Sequence, residues 1–260
     1  MSTPHAVARM AERNPVVRVL ARVGTATVGL LHILIGGIAI AVAFGAGGSA
    51  DQSGAFQALV AVPGGLFVIW AAVVGLFALA LWQILQTVVA QKAGRRLLEI
   101  SKGVVYAVLG ITALTIALGS RRSSASSEKS ASAGLLGQPG GVFVLALIGL
   151  VVFGIGVAYV IRGINKQFAR GLALPANALA PATVTLGRIG YIAKGIALGI
   201  VGALVVAGAI TFDPGKTGGL DGALKSLTQL PYGVVLLVAI GLGLIAYGVF
   251  WCVRSVAIRL

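Results

Sequence analysis

Six long apolar blocks dominate the sequence, and each is long enough to cross a bilayer as a helix. A helix needs roughly 20 apolar residues to cross about 30 Å of hydrocarbon. The blocks are continuous rather than alternating, so they do not have the pattern of membrane β-strands. We therefore expect six transmembrane helices near residues 23–44, 64–88, 100–119, 140–162, 189–211 and 232–254.

The composition leaves little room for anything besides these helices. Only 10% of the residues are charged, whereas soluble globular chains carry about 25%. The blocks take up about half of the chain, which excludes a large soluble domain. A single cysteine, Cys252, excludes an internal disulfide and a cluster of thiolate metal ligands.

The net charge of +14 is distributed unevenly along the chain. With six crossings, the segments on the side of the two termini hold 15 of the 20 basic residues. This positive-inside pattern predicts a multi-pass protein of the plasma (inner) membrane with cytoplasmic N- and C-termini. Basic residues at that face predict contact with anionic lipid headgroups. The charge therefore requires no nucleic-acid partner.

One spacing, Arg, seven residues, Gly, seven residues, Gly, occurs three times. It comprises Arg22, Gly29 and Gly36, then Arg96, Gly103 and Gly110, then Arg188, Gly195 and Gly202. Each copy is followed by a P-x-G at the start of the next apolar block, namely Pro63 with Gly65, Pro139 with Gly141, and Pro231 with Gly233. The chain is therefore predicted to contain three copies of one helix–loop–helix unit.

These copies define the predicted domains and the fold class. The segments are a cytoplasmic tail (1–17), repeat 1 (18–92), repeat 2 (93–170), a cytoplasmic linker (171–187) and repeat 3 (188–260). Each unit has two helices, so all three insert in the same direction. We expect an all-α bundle of six transmembrane helices with pseudo-threefold symmetry about the membrane normal.

The six glycines of the repeated spacing are predicted to be packing devices. Seven residues are close to two helical turns, so each pair lies on one helix face, where a neighbouring backbone can approach closely. Basic residues at the helix ends are predicted to anchor the inner face, with their heads extended toward the headgroups. These anchors are Arg22, Arg96, Lys102, Arg162, Arg188, Lys194 and Arg254.

The loops between paired helices differ among the copies. Those of repeats 1 and 3 align through Gly54 and Gly222 and predict a short amphipathic helix on the outer surface. Repeat 2 instead carries RRSSASSEKSASAG, which predicts a flexible serine-rich loop. Asp51 and Asp221 lie in the outer loops and are expected to be solvated.

The first-helix segments KGVVYAVLG and RIGYIAKGI, in three tandem two-helix units, resemble the bacterial domain-of-unknown-function 1206 family. The resemblance covers the chain from about residue 18 to its end. It implies the fold and the topology but no activity. The family typically has a basic residue before the first glycine. Lys102 and Lys194 match that pattern, while Val28 in the first copy departs from it.

Candidates for chemistry are few. His32 is the only histidine inside an apolar block, and Tyr106 occupies the equivalent position in the second copy. An ionisable residue within a membrane is a functional candidate by default. For His32 a structural hydrogen bond, a proton or ligand role, and a metal or haem role remain open. No catalytic constellation, cofactor motif or metal-ligand spacing is recognisable, so no cofactor is expected.

Three functions remain compatible with the sequence. The first is a non-enzymatic structural or accessory protein that binds lipids, a membrane-protein partner or a second copy of itself. The second is a channel or transporter for ions or small solutes, with a pathway along or between the three repeats. The third is a membrane enzyme or redox component. The first requires only the features described above and is the preferred hypothesis.

Overall fold

The computed structural model describes residues 15–89, 93–169 and 179–257, which form nine α-helices and no strand. The helices are α1 (Pro15–Ala43), α2 (Gln52–Val60), α3 (Gly65–Val89), α4 (Ala93–Ala117), α5 (Ser124–Leu136), α6 (Gly141–Ile164), α7 (Leu179–Ile210), α8 (Gly219–Leu227) and α9 (Gly233–Ala257). Six of them, α1, α3, α4, α6, α7 and α9, are long and apolar enough to span a membrane. The predicted all-α, six-span fold is confirmed.

Three short helices, α2, α5 and α8, connect the paired spans. The helices predicted for the outer loops of repeats 1 and 3 are present as α2 and α8. The flexible loop predicted for repeat 2 is wrong, because all of it from Ser124 onward lies in α5, a helix of 13 residues. The Ser124 N–H donates to Ser53 Oγ at 2.9 Å, so α2 satisfies one of the free N–H groups at the start of α5.

Two predicted segments differ from the structure or lie outside it. The linker over 171–187 is helical in its second half, since α7 begins at Leu179. Residues 170–178 and most of the predicted tail, residues 1–14, lie outside the described residues.

Each first helix of a repeat packs along the second helix of the preceding repeat, in cyclic order. The three closely packed pairs are α1 with α9, α4 with α3, and α7 with α6. Repeat 1 thus meets repeat 3, and the pairing has the predicted threefold character. Within repeats, α1 also packs on α3, and α7 packs on α9. The corresponding pair in repeat 2, α4 and α6, does not pack closely along its length.

The repeated glycines mediate the pairing between repeats 3 and 1. A Cβ atom added at Gly36 would lie 2.5 Å from the carbonyl oxygen of Gly241, and one at Gly29 would lie 2.7 Å from that of Gly248. Backbone atoms cannot move aside as a flexible side chain can, so only glycine permits this approach. The structure therefore places Gly29 and Gly36 directly against the backbone of α9.

The pair α6–α7 repeats this arrangement. A Cβ atom added at Gly195 would lie 2.6 Å from Gly156 O, and one at Gly202 would lie 2.7 Å from Gly149 O. Gly149 and Gly156 stand at the same distances from the P-x-G glycine of their helix as Gly241 and Gly248 do from theirs. Glycines therefore face glycines in two of the three pairs.

The glycines of the second copy pack less tightly. A Cβ atom at Gly103 would lie 3.3 Å from the Gln83 side chain, and one at Gly110 would lie 3.3 Å from the Phe77 ring. The facing helix α3 has Val73 and Ala80 where α6 and α9 have glycines. These side chains hold the two backbones apart, so the nearest atoms to Gly103 and Gly110 belong to side chains, and the Ala80 carbonyl oxygen lies 3.7 Å from an added Cβ atom at Gly103.

The glycine of the P-x-G motif has the same structural role in every copy. Gly65, Gly141 and Gly233 begin α3, α6 and α9. A Cβ atom on these glycines would overlap the carbonyl oxygens of Leu59, Leu135 and Leu227, which lie four residues before each proline. The glycine thus allows the chain to fold sharply from the short outer helix into the following span.

Candidate functional site

The side chain of Lys194, on α7, ends at a polar centre inside the bundle. Its Nζ lies 2.9 Å from Nε2 of His32 on α1. It also lies 4.5 Å from the centroid of the Tyr247 ring and 5.3 Å from that of the Tyr159 ring. Four helices, α1, α6, α7 and α9, therefore contribute to what we call the Lys194 centre: Lys194, His32, Tyr159 and Tyr247.

The hydrogen bonds define the tautomer of His32. Its Nδ1 lies 2.7 Å from the carbonyl oxygen of Val28, one turn earlier on α1. A carbonyl oxygen can only accept, so Nδ1 carries the proton and donates it. Nε2 is then the acceptor for a Lys194 N–H, and His32 is the neutral partner of the ammonium group.

An aromatic cluster closes the centre on the side of the chain termini. The Tyr191 ring stacks on the Phe168 ring at 4.9 Å and meets the Tyr247 ring at 5.1 Å. Phe168 lies in the 3₁₀ turn Gln167–Ala169, where the chain folds back after α6. Its ring also meets that of Phe250 edge-on at 5.2 Å. These rings exclude water from the lysine and strengthen its interaction with the tyrosine faces.

The position of the Lys194 head corrects one prediction. Lys194 was expected to extend toward the headgroups, yet its amine contacts His32. When the copies are aligned through Gly29 and Gly195, His32 lies four positions farther from the basic end of its helix than Lys194 does. Four positions correspond to about 6 Å along a helix. The side chain therefore extends toward the bilayer centre, because neutral His32 and the tyrosine faces replace the water it would otherwise seek.

The other predicted anchors lie near the ends of the apolar spans, although Arg22, Lys102 and Arg188 are seven or more residues inside their helices. Arg22, Arg162 and Arg188 are exposed. Arg96 Nε donates to the Thr87 carbonyl oxygen at 3.3 Å, Lys102 pairs with Glu99 at 3.0 Å, and the Arg254 guanidinium lies 5.1 Å from the Trp251 ring. All of these residues lie at the bundle end where the chain begins and finishes.

Tyr106 and His32, predicted as one polar position, are not joined by any hydrogen bond or ring contact in the described part of the chain. Tyr106 is half-buried and packs against the apolar core. Tyr159, Tyr191 and Tyr247 were not predicted as site residues from the sequence. A tyrosine one helical turn from Trp251 was the available signal for Tyr247, but it does not indicate a lysine on another helix.

A second polar cluster ties the outer helices together, and it corrects the expectation that Asp51 and Asp221 are solvated. Their exposed fractions are 2% and 5%. Asp51 Oδ1 caps α2 by accepting from the Gly54 N–H at 2.8 Å and from Ser53 Oγ at 2.7 Å. Asp221 on α8 accepts from the Ala50 N–H at 2.8 Å, which links repeat 3 to repeat 1.

Glu128 on α5 is the third carboxyl group of this outer cluster. It lies against Gly219, where an added Cβ atom would overlap its carboxylate. Burial, together with the carboxylates of Asp51 and Asp221, raises the pKa of Glu128 to about 7 from 4.5. Folded protein therefore holds a proton on Glu128 between these two pH values, whereas unfolded protein does not.

This shift predicts a pH dependence of stability. The free energy of unfolding should fall as the pH rises from 4.5 to about 7 and level off above it. The effect should be modest, because part of the Glu128 side chain is exposed and solvent screens the repulsion. Thermal unfolding in detergent across this range checks it, and Glu128→Gln should flatten the profile. Identical profiles for the two proteins would contradict the prediction.

No group of three or more His, Cys, Asp or Glu side chains able to hold a metal ion occurs in the described part of the chain. The two polar clusters therefore offer different chemistry. The Lys194 centre presents hydrogen-bond donors and a positive charge, whereas the outer cluster presents carboxylates that bond to backbone and side-chain donors. The Lys194 ammonium group has no opposite charge among its described contacts, whereas the Asp51 carboxylate of the outer cluster accepts from the neutral Ser53 and Gly54 donors.

Comparison with known proteins agrees with this repeated architecture. The family model described as Domain of Unknown Function (DUF1206) matches residues 23–90, 100–166 and 189–257. The chain belongs to the DUF1206 family. Each match covers one pair of spanning helices, so the three DUF1206 repeats coincide with the three structural copies.

One curated relative is the "Uncharacterized protein YxxB" of Bacillus subtilis (strain 168). It is 29% identical over 255 residues, which cover 94% of this chain and 92% of the relative. No solved structure matches the chain at a significant level. The family and this relative support a multi-pass membrane protein and indicate no specific activity.

Proposed function

We propose that this protein is a non-enzymatic membrane protein that binds an anionic phospholipid at the Lys194 centre. The observation that carries the proposal is an ammonium group held by a neutral histidine and two tyrosine rings, with no carboxylate among its described contacts. A charge inside a membrane is costly unless it is paired. An anionic headgroup would supply the missing opposite charge.

A second donor supports an anionic ligand. The Nε atom of Arg254 is buried, and it has no hydrogen-bond acceptor among the described residues. Arg254 lies over Trp251, whose ring is 5.9 Å from that of Tyr247 in the Lys194 centre. Buried donors without acceptors are rare. A phosphate group accepts several N–H bonds at once and suits such a set.

The intramembrane hydroxyl groups favour this role over a solute pathway. Thr27, Thr112 and Thr115 each donate to a carbonyl oxygen of their own helix, at 2.9, 2.9 and 3.0 Å. A polar pathway requires such groups to face a common axis. Because these hydroxyls are bonded within their helices, they contribute little to conduction.

The proposed function also requires one orientation of the protein in the membrane. The basic helix ends would face the cytoplasm in the plasma membrane, following the positive-inside pattern. The Lys194 centre would then lie in the cytoplasmic half of the bilayer. Anionic lipids of that leaflet would be drawn to the exposed Arg22 and Arg162 before one of them is bound.

Lys194→Met tests the proposed function. Native mass spectrometry of protein loaded with phosphatidylglycerol or phosphatidylcholine should show preferential retention of phosphatidylglycerol by the wild type. Lys194→Met should lose that preference by about tenfold in affinity, the equivalent of about 1.4 kcal/mol. Arg188→Gln, which removes an exposed charge from the same helix, is the matched control and should keep it.

Thermal stability separates binding from folding in this experiment. Lys194→Met removes a charge without a described carboxylate partner, so the lipid-free variant should be no less stable than the wild type. Equal phosphatidylglycerol retention by Lys194→Met and wild type would refute the proposed function. Loss of retention together with a large loss of stability would instead indicate that Lys194 is structural.

A further inference from the structure

The packing of the two helices within each repeat depends on small residues that the second copy lacks. In repeat 1 a Cβ atom at Gly24 would lie 2.5 Å from the Gly75 carbonyl oxygen. Repeat 3 has Gly190 and Gly243 at the equivalent positions. Repeat 2 has Leu98 and Val151 there. Val151 thus places a branched side chain on α6 where the other copies have none, and α4 and α6 do not pack closely.

One face of α6 is exposed as a result. It carries Ile148, Val151 and Ile155, whose exposed fractions are 45%, 54% and 45%. The equivalent positions are buried in the other copies. Ala72 and Ile240, equivalent to Ile148, are 2% and 6% exposed. Leu79 and Tyr247, equivalent to Ile155, are 6% and 1% exposed. The opening is therefore specific to repeat 2 and is not a general property of second helices.

The facing side of α4 shows the same difference. Val105 is 55% exposed, whereas its equivalents Leu31 and Ala197 are 2% and 1% exposed. The faces of α4 and α6 that would meet if repeat 2 packed like the other copies are therefore both apolar and exposed. We call this the α4–α6 seam and define it by Val105, Ile148, Val151 and Ile155.

Positive charge lies at the basic end of the seam. Arg162, at the last turn of α6, is exposed, and the Lys102 side chain on α4 is 42% exposed although it pairs with Glu99. Tyr159 lies one turn beyond Ile155, and its ring is in contact with the Lys194 ammonium group. Along α6, the apolar side chains of the seam are therefore followed by Tyr159 and then by Arg162. The Lys194 centre lies behind Tyr159.

We propose that the α4–α6 seam holds one anionic phospholipid, with its headgroup beside Tyr159, between the Lys194 ammonium group and the exposed Arg162 and Lys102, and an acyl chain along Val151. This rests on the proposed function, because it gives the lipid bound at the Lys194 centre its place and its route of entry. Arg162 lies 14 residues after Ile148 on α6, or about 21 Å along the helix. That exceeds one leaflet of a hydrocarbon core about 30 Å thick.

Filling the seam tests this inference on the full chain. Val151→Trp places a large ring between α4 and α6, while Val74→Trp is the matched control. Val74 is a valine on α3 with an exposed fraction of 53%, against 54% for Val151, but it lies away from the seam. Both variants are loaded with phosphatidylglycerol or phosphatidylcholine and analysed by native mass spectrometry. We expect about tenfold weaker phosphatidylglycerol retention in Val151→Trp and no change in Val74→Trp.

The outcomes separate this inference from the proposed function. If Val151→Trp retains phosphatidylglycerol as the wild type does, the seam does not hold the lipid, even if Lys194→Met loses it. If Val151→Trp loses the lipid and Lys194→Met retains it, the seam assignment stands and the role of Lys194 fails. A lipid-free dimer of the wild type that Val151→Trp converts to monomer would show that the seam binds a second copy instead.

Discussion

Replacing Gly36 with leucine should prevent the stable association of α1 with α9. The position of its Cβ atom is 2.5 Å from the Gly241 carbonyl oxygen and 3.0 Å from the Ile245 backbone nitrogen. Both are backbone atoms of a spanning helix, so the helices must separate along their length. Overpacking costs about 1–3 kcal/mol in a well-packed core, and a displaced helix pair lies at or above the upper end of that range.

Gly37 provides a matched control beside Gly36. It is exposed, and an added Cβ atom would meet nothing within 4 Å. Gly37→Leu should therefore be neutral or slightly stabilising, because leucine is a better helix former than glycine by up to about 1 kcal/mol. Thermal unfolding in detergent, followed by the monodispersity of the sample, compares the two. Equal stability of the two leucine variants would contradict glycine packing of α1 against α9.

The second large effect is expected at Asp221. Asp221→Ala removes the acceptor for the Ala50 N–H and the partner of Lys225 at 2.9 Å. Ala50 is fully buried, so its N–H cannot bond to water instead. A buried donor left without an acceptor costs about 1–3 kcal/mol. We expect a loss of stability in this range, because the contact joins α8 of repeat 3 to the loop that precedes α2 in repeat 1.

Asp221→Asn distinguishes this hydrogen bond from the ion pair. Asparagine keeps an oxygen that can accept from the Ala50 N–H and loses only the charge that faces Lys225. The Lys225 side chain is 45% exposed, and exposed pairs contribute about 0–1 kcal/mol. Thermal unfolding should therefore rank wild type above Asp221→Asn and both above Asp221→Ala. An asparagine variant as unstable as the alanine variant would assign the stability to the charge.

The overall architecture could be predicted because its signals are local or periodic. Apolar length defined the six spans, and the repeated Arg and Gly spacing defined three copies. The glycines at Gly29, Gly36, Gly195 and Gly202 face backbone as expected. The serine-rich loop was predicted incorrectly, because the N–H of Ser124 at the start of α5 is satisfied by Ser53 on another helix. A contact between segments 71 residues apart leaves no pattern in the local sequence.

The candidate site was only partly visible in the sequence. His32 was singled out because an ionisable residue in an apolar block is conspicuous, but its partner Lys194 was assigned to the headgroup region. The two lie 162 residues apart, on α1 and α7. Their meeting requires the contacts of α9 with α1 and with α7, which also bring Tyr247 to the lysine. Cyclic pairing of helices from different repeats is not encoded in any single segment.

By itself, the sequence determined that the chain is a membrane protein of three two-helix units and which glycines permit close helix contact. Those properties follow from residue size and from the cost of placing polar groups in hydrocarbon, and both act locally. Only the tertiary structure decided that α4 and α6 remain apart, that Lys194 points inward to His32, and that Asp221 bonds to Ala50. Each of these depends on how helices from different repeats pack, and packing is decided by side chains distant in sequence.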